Sequence, residues 1–499
     1  MNQSLFAKKT LAMLLDEMKG ESRLHRVLGP VQLTSLGVGA IIGTGIFVLT
    51  GVAAHDKTGP ALMLSFVVAG IACIFSALCY AEFASMAPVA GSAYTYAYAT
   101  MGELFAWIVG WDLVLEYAVA SATVAHGWSH YFQDFIGIFG LHIPKILSNS
   151  PIDFDPVNGL LAMTGAYFDL PAVAIAGLVT IILVKGIRES ASFNTAMVCV
   201  KLVVVLFVIA VGALYIDSRN WHPFAPYGFT GISFFGRTLL GQTGKAGEPL
   251  GVIAGAATIF FAYIGFDSVS THAEEAKNPK RDIPIAIITS LILCTVLYIA
   301  VAAVLTGMVP YNKINIDAPV SNAFAQAGLP WAQFIISLGA LTGITSVLLV
   351  MMLSQPRVLL AMARDGLLPA SFFGAVHDRF RTPWKSTILT GVVVGTMASF
   401  LPLRILAELV NIGTLLAFVM VCSAVLIMRK THPNAARPFR APLAAFTPLA
   451  GIAICLLLMF SLPAENWLRL VVWLVVGLVI YFSYGRKHSV MARMAKPLH

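Results

Sequence analysis

The sequence predicts an all-α integral membrane bundle: about twelve spanning helices, built as an inverted repeat of five plus five with two further helices at the C-terminus. Three observations carry this. Of 499 residues, 58% are hydrophobic and 11% charged, against roughly 25% charged in a soluble domain. Apolar runs of about 20 residues, enough to cross a bilayer core, recur along the whole chain. The first and sixth runs are both interrupted by glycine near mid-span. So few charges exclude a set of soluble domains, and the composition also excludes disorder, collagen and a secreted disulfide scaffold.

Residues 1–30 contain a short amphipathic stretch but no uninterrupted apolar core, so they predict a cytoplasmic helix near the membrane rather than a cleavable signal. Spans near 33–54, 60–83, 93–130, 171–187 and 193–216 make the first repeat, residues 31–216. Residues 217–250 form an extracellular loop. Spans near 251–271, 285–309, 333–362, 386–402 and 405–428 make the second repeat, residues 251–428. Two more, near 443–462 and 467–484, fill residues 429–485, and residues 486–499 form a cytoplasmic tail.

An even number of spans puts both termini on one side. With that side cytoplasmic, roughly 22 loop lysines and arginines face inward and 8 outward, the asymmetry that orients membrane proteins. The net charge of +8 therefore reflects topology, not nucleic acid. Cys73, Cys79, Cys199, Cys294, Cys422 and Cys455 lie in apolar runs without metal or redox spacing and read as reduced core residues. No loop is long enough to fold alone, so function lies within the bundle.

The first span reads GVGAIIGTGIFVLTG. Gly39 and Gly43 form a small-xxx-small pair suited to close packing, while Gly43-Thr44-Gly45 also marks a break in the helix. In the sixth span, Gly265, Asp267, Ser268 and Ser270 interrupt an apolar run. Asp267 either caps a second half-helix or serves the site directly, and both readings break the helix. The two breaks lie five spans apart, in oppositely directed spans, as an inverted repeat requires. Paired interruptions of this kind point to a transporter's midplane site. Freed N–H groups suit a carboxylate and freed carbonyls suit an ammonium, so the site fits an α-amino acid or a similar zwitterion.

Lys201 lies deep in the fifth span, too far from its end to snorkel easily. Desolvation is the means by which a buried lysine comes to exchange its proton near neutral pH. Its ammonium is expected to bridge the broken first helix and Thr345 or Ser346 on the eighth, loosening when deprotonated. Asp112 and Glu116 share one helical face, and Glu116 reads as structural support, hydrogen-bonded to unwound backbone or a facing polar group. Arg357 near the inner end of the eighth span is expected to snorkel. His126, His130 and Asp134 have a spacing that permits a metal, yet a wet extracellular helix end is the simpler reading. The run HAEEAKNPKRDIPIA (Glu274, Glu275, Lys277, Lys280, Arg281, Asp282) is either a solvated loop or a network latching an inner gate.

In order along roughly residues 25–485, GVGAIIGTGIF, PVAGSAYTYAYATMGE, GWDLVLEY, the Lys201 span, FFAYIGFDSVSTHAEEAKNPKRDIP and PRVLLAMARDGLLP resemble the amino acid–polyamine–organocation (APC) transporters. The likeness is to the cationic amino acid transporter branch, with its bacterial members. The resemblance implies a LeuT-type fold of ten core helices plus two. It also implies that a substrate head group meets Ile41, Gly43, Thr44 and Gly45. Phe261, Ala262, Ile264 and Asp267 would line the sixth helix, with Phe261 as an outer gate, and Met351 would bound the side-chain pocket. Lys201 matches the lysine that proton-coupled relatives place at a vacant sodium site. Animal members carry a small residue where Met351 stands, so Met351 is expected to shorten the pocket.

Together these readings predict a secondary active transporter. It would import small or medium neutral L-amino acids by alternating access, with cationic ones second, and with protons as the coupling ion and no other cofactor. Its partners would be the substrate and the lipid bilayer, and its short loops suggest a bacterial inner membrane. An exchanger would share the site without needing Lys201 to be protonated for turnover. A membrane enzyme would need a converging nucleophile and base, which the spans do not offer, and a channel would need a continuous pore.

Overall fold

A computed structural model describes residues 6–10, 13, 28–87, 91–154, 161–185, 190–244, 247–273, 276–380 and 382–494. The first part of the bundle holds α1 (Pro30–Ile41), α2 (Leu62–Met86), α3 (Ser92–Thr100), α4 (Glu103–Gly137), α5 (Leu170–Lys185) and α6 (Ser190–Gly212). After a stranded loop come α7 (Val252–Ile259), α8 (Pro279–Met308), α9 (Pro330–Arg364) and α10 (Trp384–Phe400). The chain then forms α11 (Leu403–Thr431), α12 (Phe446–Ser461) and α13 (Ala464–Ile480). Proline opens α1, α8 and α9, where its fixed φ suits the first turn and its missing N–H costs nothing.

Eight helical stretches among the described residues are long and apolar enough to cross a membrane, and α1, α5 and α12 are shorter apolar helices. The span expected at 93–130 is corrected: Gly102 adopts a φ of +99°, which ends α3, and α4 starts only at Glu103. With 35 residues, α4 is about 52 Å long. That exceeds the roughly 30 Å core, so α4 must tilt or project.

Within the bundle α4 packs along α9, α11 and α10, while α8 packs along α2, α1 and α6. The outward faces of α5 (Leu178, Ile181, Ile182) and α13 (Leu468, Val472, Val475, Val479) stay exposed, as helices facing lipid require. Cys199 also lies on an exposed face, so it is not a core residue as expected; the other five cysteines are buried and all six are free.

Both chain ends meet at one end of the bundle. Glu103 N donates to Ala7 O at 3.0 Å and Val490 N to Asp365 O at 3.0 Å. The Lys9 ammonium pairs with Asp365 Oδ1 at 2.6 Å, and the Tyr94 hydroxyl donates to Asp365 Oδ2 at 2.5 Å. Glu103 takes the hydroxyls of Tyr98, Tyr481 and Ser489. The opposite end carries three two-stranded hairpins: β1 (Ile152–Phe154) with β2 (Leu161–Met163), β3 (Ile232–Phe234) with β4 (Arg237–Leu240), and β5 (Gln242–Thr243) with β6 (Pro249–Leu250).

Candidate functional site

Both predicted breaks are present. In the first span α1 ends at Ile41, Ile42 turns to extended backbone (φ −74°, ψ 105°), and a wide π-turn resumes at Gly45–Leu49. In the sixth, α7 tightens into a 3₁₀ turn over Phe260–Tyr263 and Ile264 becomes extended (φ −61°, ψ 136°). A short helix, Ser268–Thr271, follows.

The two breaks lie against each other and run in opposite directions. A methyl group on Gly45 would sit 2.4 Å from Ala262 Cα, and one on Gly265 would sit 2.9 Å from the backbone and Cβ of Ala40. Gly265 also has a φ of +119°, a conformation that only glycine adopts cheaply. Contacts 40–265 and 45–262 have opposite order along the two chains, so the segments cross antiparallel.

Breaking a helix leaves backbone groups to be satisfied. The Lys201 ammonium donates to Gly39 O at 2.6 Å and to Ile42 O at 2.8 Å, and Lys201 is fully buried. The Tyr298 hydroxyl on α8 lies 2.8 Å from Ile41 O and 2.8 Å from Ala262 O. A hydroxyl has one proton and here faces two acceptors, one on each broken helix. Farther along, the Tyr131 hydroxyl donates to Phe47 O at 2.7 Å, and the Asn411 amide to Ala257 O at 2.8 Å.

A small cavity opens between the breaks, α4 and α9. Ala40, Ile41, Gly43, Thr44, Gly45, Ala120, Val124, Phe261, Ile264, Val347 and Met351 line it. Its volume of about 10 Å³ holds about one water, so an amino acid fits only when the helices part. Backbone and the Thr44 hydroxyl, whose Oγ1 is buried without a partner, supply its polar side. Apolar side chains supply the rest, and among the described residues no charged side chain lines it.

Seven residues predicted for the site meet there: Ile41, Gly43, Thr44, Gly45, Phe261, Ile264 and Met351. Ala262 lies behind the wall, packed on Gly45. Asp267 is also outside the wall and does not cap the half-helix through its side chain. Its Oδ2 instead accepts from the Tyr117 hydroxyl at 2.7 Å; Asp267 itself has helical backbone (φ −63°, ψ −30°), not the extended conformation that aims a capping side chain at the first turn.

The expected bond from Lys201 to Thr345 or Ser346 is absent. Thr345 Oγ1 donates to Leu341 O at 2.7 Å and Ser346 Oγ to Gly343 O at 3.1 Å, the back-bonding that helical hydroxyls favour. The Lys201 stem passes α9 at Gly343, where a methyl would meet its Cγ at 3.2 Å. Glu116 is buried facing Thr414 of α11, the kind of polar group expected of it, although none of its contacts closes to full hydrogen-bond geometry. Asp112 is buried against Gly413 of the same helix, which offers its carboxyl oxygens no side-chain donor.

The two imidazoles of the metal spacing stay side by side, with ring centroids 4.7 Å apart, while Asp134 is engaged by other partners. His126 is buried rather than at a wet end, with Nδ1 3.1 Å from Ala398 O and 3.3 Å from Asp169 Oδ2. His130 faces Asp317, and Asp134 accepts from Ser321 and Ser337. No metal-ligating group of three occurs among the described residues. Arg357 is half-buried. Glu274 and Glu275 lie outside the described residues; nearby, Lys277 N donates to Leu28 O at 2.8 Å and Asn278 N to Asp282 Oδ2 at 3.2 Å.

Ala40, Ala120, Val124, Val347 and Tyr298 were not singled out from sequence. Helical spacing holds the missing signal: Glu116, Ala120 and Val124 recur every four residues on α4, as do Gly343, Val347 and Met351 on α9.

A family model for amino acid permeases matches residues 28–482. A methylthioribose transporter of Bacillus subtilis is 46% identical over 488 residues, covering 98% of this chain and 99% of the relative. A branched-chain amino acid permease of the same organism is 46% identical over 490 residues, with the same coverage of both chains. A vacuolar cationic amino acid transporter of Arabidopsis thaliana is 39% identical over 441 residues, covering 87% of this chain and 68% of the relative.

Proposed function

The chain belongs to the amino acid permease family, and from that premise we propose that it imports L-amino acids with small or medium neutral side chains, coupled to protons, by alternating access. One observation carries the substrate class. The cavity joins a polar wall of broken-helix backbone to an apolar wall of Phe261, Ile264, Val347 and Met351, with no carboxylate to meet a cationic side chain. The head group binds the backbone of residues 41–45 and the side chain enters the apolar part. Lys201 carries the coupled proton: protonated, it holds Gly39 and Ile42 in place; neutral, it releases them and the inner half of the first helix swings away. The antiparallel contact of the two breaks supports a LeuT-type inverted repeat of five plus five helices with two appended. The Lys and Arg distribution supports cytoplasmic termini in a plasma membrane.

The test is uptake of labelled substrates, one at a time, into liposomes holding the purified protein, with and without an inward proton gradient. The panel includes leucine, valine, alanine and arginine, and methylthioribose because a 46% identical relative is named for it. Gradient-driven accumulation of a neutral amino acid into empty vesicles supports the reading. Uptake only into preloaded vesicles, indifferent to the gradient, replaces it with exchange, and preference for arginine replaces the substrate class.

A further inference from the structure

The hairpin β1–β2 belongs to the loop between α4 and α5, at the end of the bundle away from both termini. Its register sets Ile152 opposite Met163 and Asp153 opposite Ala162. Side chains alternate across a strand, so Ile152, Leu161 and Met163 share one face while Asp153 and Ala162 take the other. Side chains on the apolar face are open: Ile152 is 38% exposed, Leu161 53% and Met163 80%. In the same connection between α4 and α5, Tyr167, Leu141 and Phe139 are also 70%, 61% and 60% exposed. The loop holding them is ordered by its own bonds, with Tyr167 N donating to Ile146 O at 2.8 Å and Thr164 Oγ1 to Ser150 O at 2.6 Å. Leu161, Ala162 and Met163 are all exposed, and the large side chains of Ile152, Leu161 and Met163 gathered on one face of the ribbon form an apolar contact surface.

We propose that this face docks on lipid, lying in the boundary between headgroups and acyl chains on that side of the membrane. Continuity decides the occupant. The chain runs from Met163 through Tyr167 directly into α5, whose exposed Leu170, Leu178, Ile181 and Ile182 form a lipid-facing stripe, so the hairpin is tethered a few residues from the lipid-exposed helix. Tyrosine at the junction suits a membrane–water interface, and exposed Lys145 is placed to reach headgroup phosphates. Asp153, on the opposite face, points away from the apolar contact. The loop is then an anchor in the plane of the membrane, whatever substrate the bundle carries.

The test uses nitroxide labels in phosphatidylcholine liposomes. Leu161→Cys, Ala162→Cys and Met163→Cys are each made in a Cys199→Ala background, since Cys199 is the exposed native thiol. Collision rates with oxygen, which concentrates in lipid, and with a water-soluble nickel chelate are compared. The expected result is alternation: the oxygen-to-nickel ratio is several-fold higher at 161 and 163 than at 162. Equal nickel access at all three positions overturns the proposal. Shielding from both reagents, kept in detergent, also overturns it and identifies a protein partner or a second copy on this face.

Discussion

Gly45 packs directly on Ala262, so closely that a single methyl at Gly45 would lie 2.4 Å from Ala262 Cα and 2.6 Å from its Cβ. The contact joins the outer parts of the two broken helices across the cavity, and the backbone cannot yield as a flexible side chain would. Overpacking of this kind costs about 1–3 kcal/mol. Gly45→Ala is expected to lose most uptake while still reaching the membrane, because the closed arrangement becomes strained. Gly177→Ala on α5, where a methyl meets nothing within 4 Å, is the matched control and should transport normally. Equal uptake by both variants would remove the contact from the transport cycle.

Lys201 holds two carbonyls of the first helix, at 2.6 and 2.8 Å, and two substitutions separate its charge from its proton exchange. Lys201→Ala removes the bridge and should abolish accumulation driven by an acidic exterior. Lys201→Arg keeps a permanent charge, since a guanidinium does not deprotonate in proteins. It should leave substrate binding measurable but stop gradient-driven turnover. The proposed proton symport fixes the sign: acidifying the outside relative to the inside should raise wild-type uptake, and this dependence should vanish in both variants. A variant that keeps the full pH-gradient response returns Lys201 to a structural role.

The Tyr298 hydroxyl stands between Ile41 O and Ala262 O. Tyr298→Phe keeps the ring, which packs on Phe66 and Tyr263, and deletes only the donor. A net hydrogen bond contributes about 0.5–1.5 kcal/mol, so the apparent KM should rise roughly 2- to 10-fold with little change in thermal midpoint. An unchanged KM with a lower midpoint would mean that Tyr298 stabilises the bundle without reaching the substrate.

At the end bearing the termini, Asp365 binds Lys9 and Tyr94 together. Removing one member of a buried ion pair typically costs about 3–5 kcal/mol. Asp365→Asn should therefore lower the thermal midpoint, and Lys9→Met with Asp365→Asn should cost less than the two single variants summed. Additive losses would show that the pair is not coupled.

Glycine and a lone Asp stand out in apolar sequence, so the breaks at Ile42–Gly45 and Ile264–Asp267 were legible without coordinates. Lys201 was legible by depth alone, but its partner was not. Thr345 and Ser346 look like free donors in sequence, while a helix offers each its own preceding carbonyl. Ala120, Val124 and Val347 carry no contrast with their surroundings, and only their four-residue spacing from Glu116 and Met351 distinguishes them. Asp267 was legible as a costly group, but that Tyr117 rather than a helix end would satisfy it depends on how α4 crosses the break.

Met351 lines the cavity one helical turn along α9 from Val347, whose side chain would collide with any methyl on Gly43. Val347 thus fixes the distance between α9 and the first helix, and under the proposed function Met351 sets the depth available beyond it. Met351→Ser shortens the wall without moving the helix, because serine fits the same backbone and can back-bond to the preceding turn. Longer side chains, including arginine and lysine, should then compete for uptake more strongly than they do in wild type. Alanine and valine should weaken by about fivefold, the loss of about 1 kcal/mol of apolar contact. A competition panel run at one substrate concentration measures both changes together. If selectivity does not move while uptake persists, the side chain of the substrate points elsewhere, and Val124 and Ile264 become the walls to vary.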